Sequence, residues 1–463
     1  MKYVDRKVEE LKIAYIGGGS RGWAWGLMSD LASADDISGE VALYDIDFEA
    51  AKANEIIGNK YNDVPGCRSK WNYKAEKEIG DALTGADFVV ISILPGTFKE
   101  MESDVHTPEK YGIWQSVGDT VGPGGIVRAL RTLPMFEVIG KAIRDFCPNA
   151  WVINYTNPMT MCMRTLYKTF PGIKAFGCCH EVFGTQKVLA AALEDMLGIE
   201  KPNHKDVKVN VVGVNHFTWL TDARYQNINA MEVYKDFCEK YHETGFTKGK
   251  DDNWMNNIFE SSNRVKMDLF RKYGSIAAAG DRHLAEYSEG NLYLQSRDQA
   301  RSWGFDLTPV SWRWEDLAAR QEKSRKLLSG EMEVTINNTG EEGVNQIRAL
   351  LGLHTLVTNV NLPNYGQIPN LPLGAVVETN AVFQDDTVTP VFAGAIPMPI
   401  YGQITRALTT QEMVVEAAME RDLEKAFAAF RNDPLVSISD SDARKLFDEM
   451  VENTKAYLTE YKI

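Results

Sequence analysis

Short apolar runs alternate with segments of helical periodicity through about the first 200 residues, and this alternation constrains the fold more than any other feature. The strand-like runs lie at 12–17, 40–45, 87–93, 150–155 and 173–177. Runs that are apolar at nearly every position belong to strands buried on both faces, as in a parallel sheet with crossover helices. The sequence therefore predicts an α/β protein whose N-terminal part is a doubly wound parallel sheet.

The pattern changes after residue 205, where long helices and scattered strands replace the regular alternation. The predicted helices are 254–274, 341–353, 410–431 and one that begins near Ser439 or Asp440. No flexible linker separates the two halves, and 463 residues exceed what one compact core usually holds. We expect a dinucleotide-binding domain over residues 1–205. An intimately packed α+β domain over residues 206–463 is expected to contribute substrate, metal and subunit contacts, with the ligand site in the cleft between the domains.

Net charge and composition exclude several classes of function. The formal net charge is −14 and no run of Lys and Arg occurs, so a nucleic-acid partner is not expected. The N-terminus is charged before its first short apolar run, unlike a signal peptide, and no stretch has the ~18–20 apolar residues of a membrane span. We expect a cytoplasmic protein without a membrane partner, in which the six cysteines are reduced thiols.

A glycine-rich turn follows the first predicted strand and leads into a helix that begins near Trp23. Its glycines fit G-x-G-x-x-G, which permits a tight turn, close approach of a pyrophosphate and close packing of helix on strand. The second strand ends in Tyr44 and Asp45, and the carboxylate of Asp45 can accept hydrogen bonds from ribose hydroxyls and so favours NAD⁺ over NADP⁺. A turn that binds nothing is the alternative, but the position in the first βα unit favours a Rossmann-type NAD site. The expected cofactor contacts are Gly17, Gly19, Ser20, Gly22 and Asp45.

Four polar segments lie at the ends of strand-like runs or shortly beyond them. They are NYTNP (154–158), CCHEV (178–182), GVNH (213–216) and GDRH (280–283). Ligands of α/β sheets bind at the carboxyl ends of the strands, and these segments offer a thiolate, imidazoles, an amide and a carboxylate, enough for a divalent cation. Each also has a structural alternative, such as a buried thiol at Cys179, a core histidine at His216 or a helix cap at Asp281. Their spacing alone leaves these alternatives open.

The ordered set of motifs resembles glycoside hydrolase family 4. The motifs are GGGSRG, GPGGIVRALRTLP, INYTNPM, CCHEVFGTQ, GVNHFTWL and GDRHLAEY. The resemblance runs from about residue 10 into the C-terminal region, and it implies an NAD-dependent glycosidase. Within the family, the segments SVGDTVGPGG and FGCCHEVFGTQ resemble bacterial α-galacturonidases rather than members that act on phosphorylated sugars.

The family resemblance implies hydrolysis by a redox route. NAD⁺ takes a hydride from C3 of the sugar, and the resulting ketone acidifies the C2 proton. A divalent cation on the C2 and C3 oxygens then stabilises the developing enediolate. A base removes the C2 proton, a general acid protonates the leaving oxygen, water adds, and NADH returns the hydride. A Cys/His ligand pair by itself would favour zinc, whereas the resemblance implies Mn²⁺ or another divalent metal.

Site residues follow from the resemblance by motif match. The metal ligands are Cys179 and His216, the general acid is His180, and Asn157 contacts the sugar hydroxyls near C2 and C3. The tyrosine base of the phosphoglycosidase members has no matching motif in this chain, so the expected base is Asp281, with Tyr287 as the alternative; the two lie in the corresponding region. The chain also departs from many members at Asp119, where they have Glu, which leaves the role of Asp119 open.

The substrate implied by the resemblance is an α-galacturonide, as a short oligomer derived from pectin. A uronate carboxylate calls for an arginine, because a planar guanidinium can bind both oxygens, and Arg282 is the candidate, with Arg128 or Arg131 as alternatives. We expect a homodimer or homotetramer. The alternatives are a family 4 α-glucosidase or α-glucuronidase, an NAD dehydrogenase of the lactate/malate type, and a non-catalytic NAD-sensing protein.

Overall fold

The computed structural model of the protein describes residues 1–247, 261–337 and 339–463. Its strands are β1 (Lys2–Val4), β2 (Lys7–Ile16), β3 (Ile37–Tyr44), β4 (Trp71–Glu76), β5 (Phe88–Ile91), β6 (Trp151–Asn154), β7 (Lys174–Gly177), β8 (Lys208–Val214), β9 (Phe217–Tyr225), β10 (Ile228–Asn229), β11 (Ile276–Ala277), β12 (Leu356–Pro363), β13 (Val376–Gln384) and β14 (Thr387–Pro390).

The α-helices of these residues alternate with the strands in the first half of the chain and predominate in the second. They are α1 (Trp23–Ser33), α2 (Phe48–Lys60), α3 (Ile79–Leu83), α4 (Phe98–His106), α5 (Gly122–Phe146), α6 (Met159–Thr169), α7 (Glu181–Leu197), α8 (Ala230–Tyr241), α9 (Arg264–Tyr273), α10 (Asp281–Glu286), α11 (Gly290–Tyr293), α12 (Arg297–Ser302), α13 (Val310–Ser329), α14 (Gly343–Leu350), α15 (Met398–Glu420), α16 (Leu423–Asn432) and α17 (Asp440–Thr454).

Ten strands of the described residues form one sheet in the order β14-β13-β12-β7-β6-β5-β2-β3-β4, with β1 paired to β2. The strands from β7 to β4 in this order are parallel, which confirms the predicted doubly wound sheet. Both faces are buried: along β2, Ala14 and Ile16 belong to one apolar cluster, and Ile13 and Tyr15 to another. Burial on both faces accounts for the continuous apolar runs in the sequence.

The second half of the chain contributes to this same sheet. Strand β12 pairs antiparallel with β7 through Asn361 and Gly177, and β13 and β14 continue the sheet outward. Strands β8 to β11 form a separate antiparallel sheet of four strands in the described part of the chain. The division at residues 205 and 206 remains a proposal, since the large sheet draws strands from both sides of it.

Two of the predicted helices differ in extent from the observed ones. The stretch 410–431 is two helices, α15 and α16, because Arg421 between them has a left-handed backbone with φ of 58°. The side chain of Asp422 then caps α16 by accepting from the amides of Glu424 and Lys425. Of the predicted helix 254–274, residues 254–260 lie outside the described residues, and α9 accounts for the rest from Arg264 onward.

Parallel strand direction brings the candidate site together. Strands β2, β3, β6 and β7 end at the same edge of the sheet, so the segments that follow them lie side by side there. Helix α10, from the second half of the chain, places further polar residues against this edge. Among the described residues, no helix combines the length and apolar character that a membrane crossing requires.

Candidate active site

The turn after β2 has the geometry of a dinucleotide cradle. Gly17 has φ of 95°, and a Cβ at this position would lie 2.0 Å from the carbonyl oxygen of Ser92, so only glycine fits. The backbone amide of Gly19 donates to Asp45 Oδ2 at 2.9 Å, and the amide of Asp47 donates to Oδ1. In the described structure Gly22 caps α1 without a side chain, and the first turn of α1 contains no acidic residue. The amides of that turn therefore suit a pyrophosphate.

Cys179 lies two residues beyond the end of β7 and is 6% exposed. Its thiol interacts with the side chain of Asn215, the neighbour of His216. Burial raises the pKa of the thiol well above its ordinary value, and the charges of Glu378 and Glu181 add to this rise. The thiolate form that a metal binds is consequently stable at neutral pH only with a cation present.

His180 precedes α7 and has half of its side chain exposed, at 53%. Its Nδ1 lies 3.1 Å from Glu341 Oε1, and its ring centroid is 6.3 Å from that of Trp23. The partial loss of hydration around the ring acts to lower the pKa of His180, but the hydrogen bond and the charge of Glu341 outweigh it and raise the pKa to about 9. The imidazole is therefore protonated at neutral pH, the state that a general acid requires.

His216 follows β8 and is 4% exposed. Its Nδ1 lies 3.0 Å from Thr120 Oγ1, and its ring stacks on that of His283 with centroids 4.1 Å apart. Burial, followed by the charge of His283, lowers the pKa of His216 to about 3. The imidazole is neutral at physiological pH, and a neutral imidazole has the lone pair that a metal needs.

Asp119 joins these two histidines in a group suited to a cation. One possible ligand atom from each of Asp119, His216 and His283 lies within 4.8 Å of the others. Burial would raise the pKa of Asp119, but the charges of His283, Arg128 and His216 outweigh it and lower the pKa to about 2. An ionised carboxylate beside neutral imidazole suits Mn²⁺ or another divalent metal. Cys179 is not a member of this group of three.

Asn157 and Arg128 border the carboxylate of Asp119. The side-chain amide of Asn157 donates to Asp119 Oδ2 at 3.4 Å, and Arg128 Nε donates to the carbonyl oxygen of Asn157 at 3.3 Å. Among the described residues, Asn157 Oδ1 and Arg128 Nη1 are buried and have no hydrogen-bond partner. Such atoms suit a polar ligand, as expected of Asn157 beside sugar hydroxyls.

Asp281 and His283 lie on opposite sides of α10, since two residues in a helix are separated by roughly 200° around its axis. The carboxylate of Asp281 is completely buried and accepts from the amide of Lys266 at 3.0 Å and that of Val265 at 3.3 Å, at the start of α9. Burial raises the pKa of Asp281 to about 6. His283 instead faces His216, and its Nε2 is 3.8 Å from Glu181 Oε1. The carboxylate of Asp281, the predicted base, is thus hydrogen-bonded to the start of α9, whereas His283 lies beside His216.

Tyr287, the alternative base, is bonded within the protein. Its hydroxyl donates to the carbonyl oxygen of Asn215 at 2.9 Å and accepts from the amide of His216 at 2.8 Å. Its ring stacks on Phe217 with centroids 4.6 Å apart. These contacts hold the backbone of the segment that carries His216.

The three arginines proposed for a substrate carboxylate differ in their surroundings. Arg131 is fully engaged with buried Asp104 through two hydrogen bonds of 3.0 and 2.5 Å. Arg282 is 5% exposed and donates from Nη2 to the carbonyl oxygen of Ser116 at 2.7 Å. With the unpartnered Nη1 of Arg128, this arrangement favours Arg282 and Arg128 over Arg131 as ligands of an anion.

Two buried glutamates support the site without being in any of the predicted sets. Glu378 on β13 accepts from Asn215 Nδ2 at 3.1 Å and from Asn359 Nδ2 at 2.7 Å, and the latter amide also donates to the carbonyl oxygen of Cys179. Glu286 accepts at Oε1 from the amides of Val117 and Gly118, in the loop before Asp119. Glu286 and His283 lie within the motif GDRHLAEY, which could have revealed both, whereas no local pattern marks Glu378.

A Rossmann-type sheet with a group of side chains suited to a cation at its edge is an architecture typical of enzymes. Residues 12–195 match the model of the family 4 glycosyl hydrolases, and residues 211–436 match that of the family 4 C-terminal domain. The chain belongs to glycosyl hydrolase family 4 and is a glycosidase. This membership confirms the resemblance in the motifs and places the chain apart from lactate/malate dehydrogenases and non-catalytic NAD sensors.

Three relatives illustrate the relationship. The α-galacturonidase of Thermoanaerobacterium saccharolyticum is 60% identical over 463 residues, which is 100% of both chains. The crystal structure of lplD from Bacillus subtilis has a TM-score of 0.91 and 52% identity, covering 96% of this chain and 100% of that one. A 6-phospho-β-glucosidase from Thermotoga maritima, solved with manganese, NAD⁺ and glucose-6-phosphate, has a TM-score of 0.75 over 96% of this chain and 99% of its own, at 20% identity. This last likeness shows a common fold.

Proposed function

We propose that the protein is an NAD- and divalent-metal-dependent glycosidase that hydrolyses α-galacturonides, in the form of short oligogalacturonides derived from pectin. The observation that carries the proposal is the position of the Asp119–His216–His283 group at the same sheet edge as the glycine-rich turn. The 60% identity to an α-galacturonidase over the whole chain supports the choice of substrate. A cytoplasmic homodimer or homotetramer remains part of the proposal.

The side chains and backbone amides of the site suit both NAD⁺ and a divalent cation, the two groups that the family mechanism needs. The constrained Gly17, the uncapped first turn of α1 and Asp45 suit NAD⁺, and neutral His216 beside the carboxylate of Asp119 suits a divalent cation. When bound, NAD⁺ supplies a hydride acceptor for C3 of the sugar and the cation supplies a Lewis acid for the C2 and C3 oxygens. We keep Cys179 and His216 as the proposed ligands, and Mn²⁺ as the proposed metal.

His180 is the proposed general acid. Because Glu341 occupies its Nδ1, the proton on Nε2 is available for the glycosidic oxygen as it leaves. Asn157, with its unpartnered Oδ1 among the described residues, is proposed to orient the sugar hydroxyls near C2 and C3.

The base that removes the C2 proton is proposed to lie on α10. The motif favours Asp281, and the contact between His283 and His216 favours His283. The carboxylate of Asp281 already accepts two amide hydrogens, whereas His283 Nδ1 is buried without a hydrogen-bond partner in the described part of the chain. Isotope exchange at C2, measured in variants of each residue, distinguishes between them.

The charge around the pocket supports a uronate as substrate. Arg128, Arg282 and Arg313 all interact electrostatically with Asp119, and the acidic groups Glu181 and Glu286 also act on Arg282. Burial and then the charge of Arg313 lower the pKa of Arg282 to about 10. A carboxylate on C6 would give these buried guanidinium groups a further anionic contact. A neutral sugar lacks this carboxylate, and the lost contact costs on the order of 1–3 kcal/mol.

The test is hydrolysis of p-nitrophenyl glycosides by protein freed of nucleotide and metal, with NAD⁺ and Mn²⁺ added back singly and together. We expect turnover of the α-galacturonide only with both added, and poor turnover of the α-galactoside and α-glucoside. Full activity without NAD⁺, or in EDTA, would refute the cofactor assignment. Faster turnover of the α-glucuronide or a neutral glycoside would refute the substrate and leave the family unchanged.

A further inference from the structure

The hydroxyl of Thr120 lies between two polar groups of the site. Its Oγ1 is 2.8 Å from Asp119 Oδ1 and 3.0 Å from His216 Nδ1. Thr120 is 1% exposed, so water does not compete for either contact. Asp119 and Thr120 thus form a short hydrogen-bonded chain that ends on a ring nitrogen of His216.

The hydroxyl has one hydrogen, and this fixes the direction of both bonds. The carboxylate of Asp119 can only accept, so the hydrogen of Thr120 is donated to Asp119 Oδ1. The oxygen of Thr120 can then only accept from His216, whose Nδ1 must carry the ring hydrogen. A neutral imidazole has a single N–H, so Nε2 of His216 is left with the lone pair.

We infer that Thr120 is a positioning residue that sets the tautomer and ring orientation of His216, so that Nε2 rather than Nδ1 binds the cation. The inference rests on the proposed function, in which His216 is a metal ligand. A hydrogen bond from the second ring nitrogen to an acceptor commonly orients metal-binding histidines and raises their basicity. Here the acceptor is a hydroxyl that is itself polarised by the carboxylate of Asp119.

The loop that holds Thr120 is fixed by α10. Glu286 Oε1 accepts from the amide of Val117 at 2.7 Å and from that of Gly118 at 2.9 Å. The hydroxyl of Ser116 donates to the carbonyl oxygen of Arg282. The loop that carries Asp119 and Thr120 is therefore held rigidly, as the orientation of a metal ligand requires.

The tautomer can be measured directly in the metal-free protein at neutral pH. Histidine labelled with ¹⁵N distinguishes a protonated from an unprotonated ring nitrogen, and His216→Gln identifies the signals that belong to His216. We expect the hydrogen on Nδ1 in the wild-type protein. A hydrogen on Nε2 of His216 in the wild-type protein would overturn the inference, and this measurement requires no substitution of Thr120.

Cation binding supplies the second readout, by titration with Mn²⁺ in the absence of substrate. Thr120→Val should lower the Mn²⁺ affinity about 10–100-fold and reduce the preference for the Nδ1–H tautomer. Thr120→Ser, which keeps the hydroxyl, should have the affinity and the tautomer preference of the wild-type protein. Thr454→Val is the matched control, because Thr454 is equally buried and donates only to the carbonyl oxygen of Met450. NAD⁺ affinity should be unchanged in all three variants, which shows that the fold is intact.

The outcomes separate this inference from the proposed function. If His216→Gln abolishes Mn²⁺ binding but Thr120→Val retains wild-type affinity and tautomer, the role of Thr120 is refuted and His216 remains a ligand. If His216→Gln binds Mn²⁺ as the wild type does, the ligand assignment in the proposed function fails, and the role of Thr120 in cation binding fails with it.

Discussion

Replacing Glu286 with Gln should stabilise the protein increasingly as the pH rises. The side chain is completely buried, and its Oε1 accepts from the amides of Val117 and Gly118. Burial raises the pKa of Glu286 from 4.5 to about 8, despite the opposing effect of these two amides. A glutamine retains an oxygen that can accept both amide hydrogens and removes the group that ionises.

The sign and size of the effect follow from the two pKa values. The folded protein keeps a proton that the unfolded chain releases, so the contribution of Glu286 to the free energy of unfolding is complete below about pH 4.5. It is lost progressively as the pH rises through 8, the folded-state pKa. At 1.36 kcal/mol for each pH unit, the loss has a ceiling of about 5 kcal/mol, and water entry and local relaxation reduce it, so we expect roughly 1–3 kcal/mol.

Thermal unfolding of both proteins between pH 5 and pH 8.5 measures this effect. Other titrating groups are common to the two proteins, so the difference in Tm between Glu286→Gln and wild type isolates residue 286. We expect the difference to grow by a few degrees over this range, whereas Glu194→Gln, on the exposed surface of α7, should show a constant difference. A difference for Glu286→Gln that is flat with pH, or that falls as the pH rises, would refute the argument.

Three further predictions concern the reaction itself. Asp45→Ala should raise the KM for NAD⁺ more than it lowers kcat, because the ribose hydroxyls lose their acceptor; an unchanged KM would remove Asp45 from the cofactor site. Product formed in D₂O should carry deuterium at C2, and whichever of Asp281→Asn and His283→Gln suppresses this exchange identifies the base, while exchange that survives in both rules out α10 as its source. Arg282→Ala should lower kcat/KM for the α-galacturonide by an amount that corresponds to a loss on the order of 1–3 kcal/mol in transition-state stabilisation, and it should change kcat/KM for an α-galactoside little. Equal losses on both substrates would argue against a carboxylate contact.

The sequence predicts the inner strands of the central sheet because each contains a short apolar run, a signal that each strand carries locally. Strand β4 is not among these predicted strands, because it lies at the end of the sheet, buries only alternate residues (Trp71, Tyr73 and Ala75) and so contains no continuous apolar run. The hairpin of β12 and β13 lies far along the chain from β7, so its addition to the sheet depends on tertiary contacts that no local pattern records.

The candidate site can be predicted from the sequence only where local patterns determine it, as for the sheet. Residues that directly follow parallel strands, such as Asn157 and Cys179, can be placed at one sheet edge from sequence, since strand direction brings them together. Asp281 and His283 cannot be ranked in this way. They belong to one motif, and which of them faces the site depends on the orientation of α10 against α9.

The site also explains why the two halves of the chain are not independent. Cys179 follows a strand of the dinucleotide-binding sheet, yet its carbonyl oxygen is bonded to Asn359 of β12, and Glu378 of β13 connects Asn359 to Asn215. The proposed ligands Cys179 and His216 therefore share one set of buried hydrogen bonds that spans both halves. A rigid connection of this kind suits the proposed function, in which the residues that would hold NAD⁺ and those that would hold the cation must position one sugar together, because a displacement of about 1 Å in such a site can cost much of the activity.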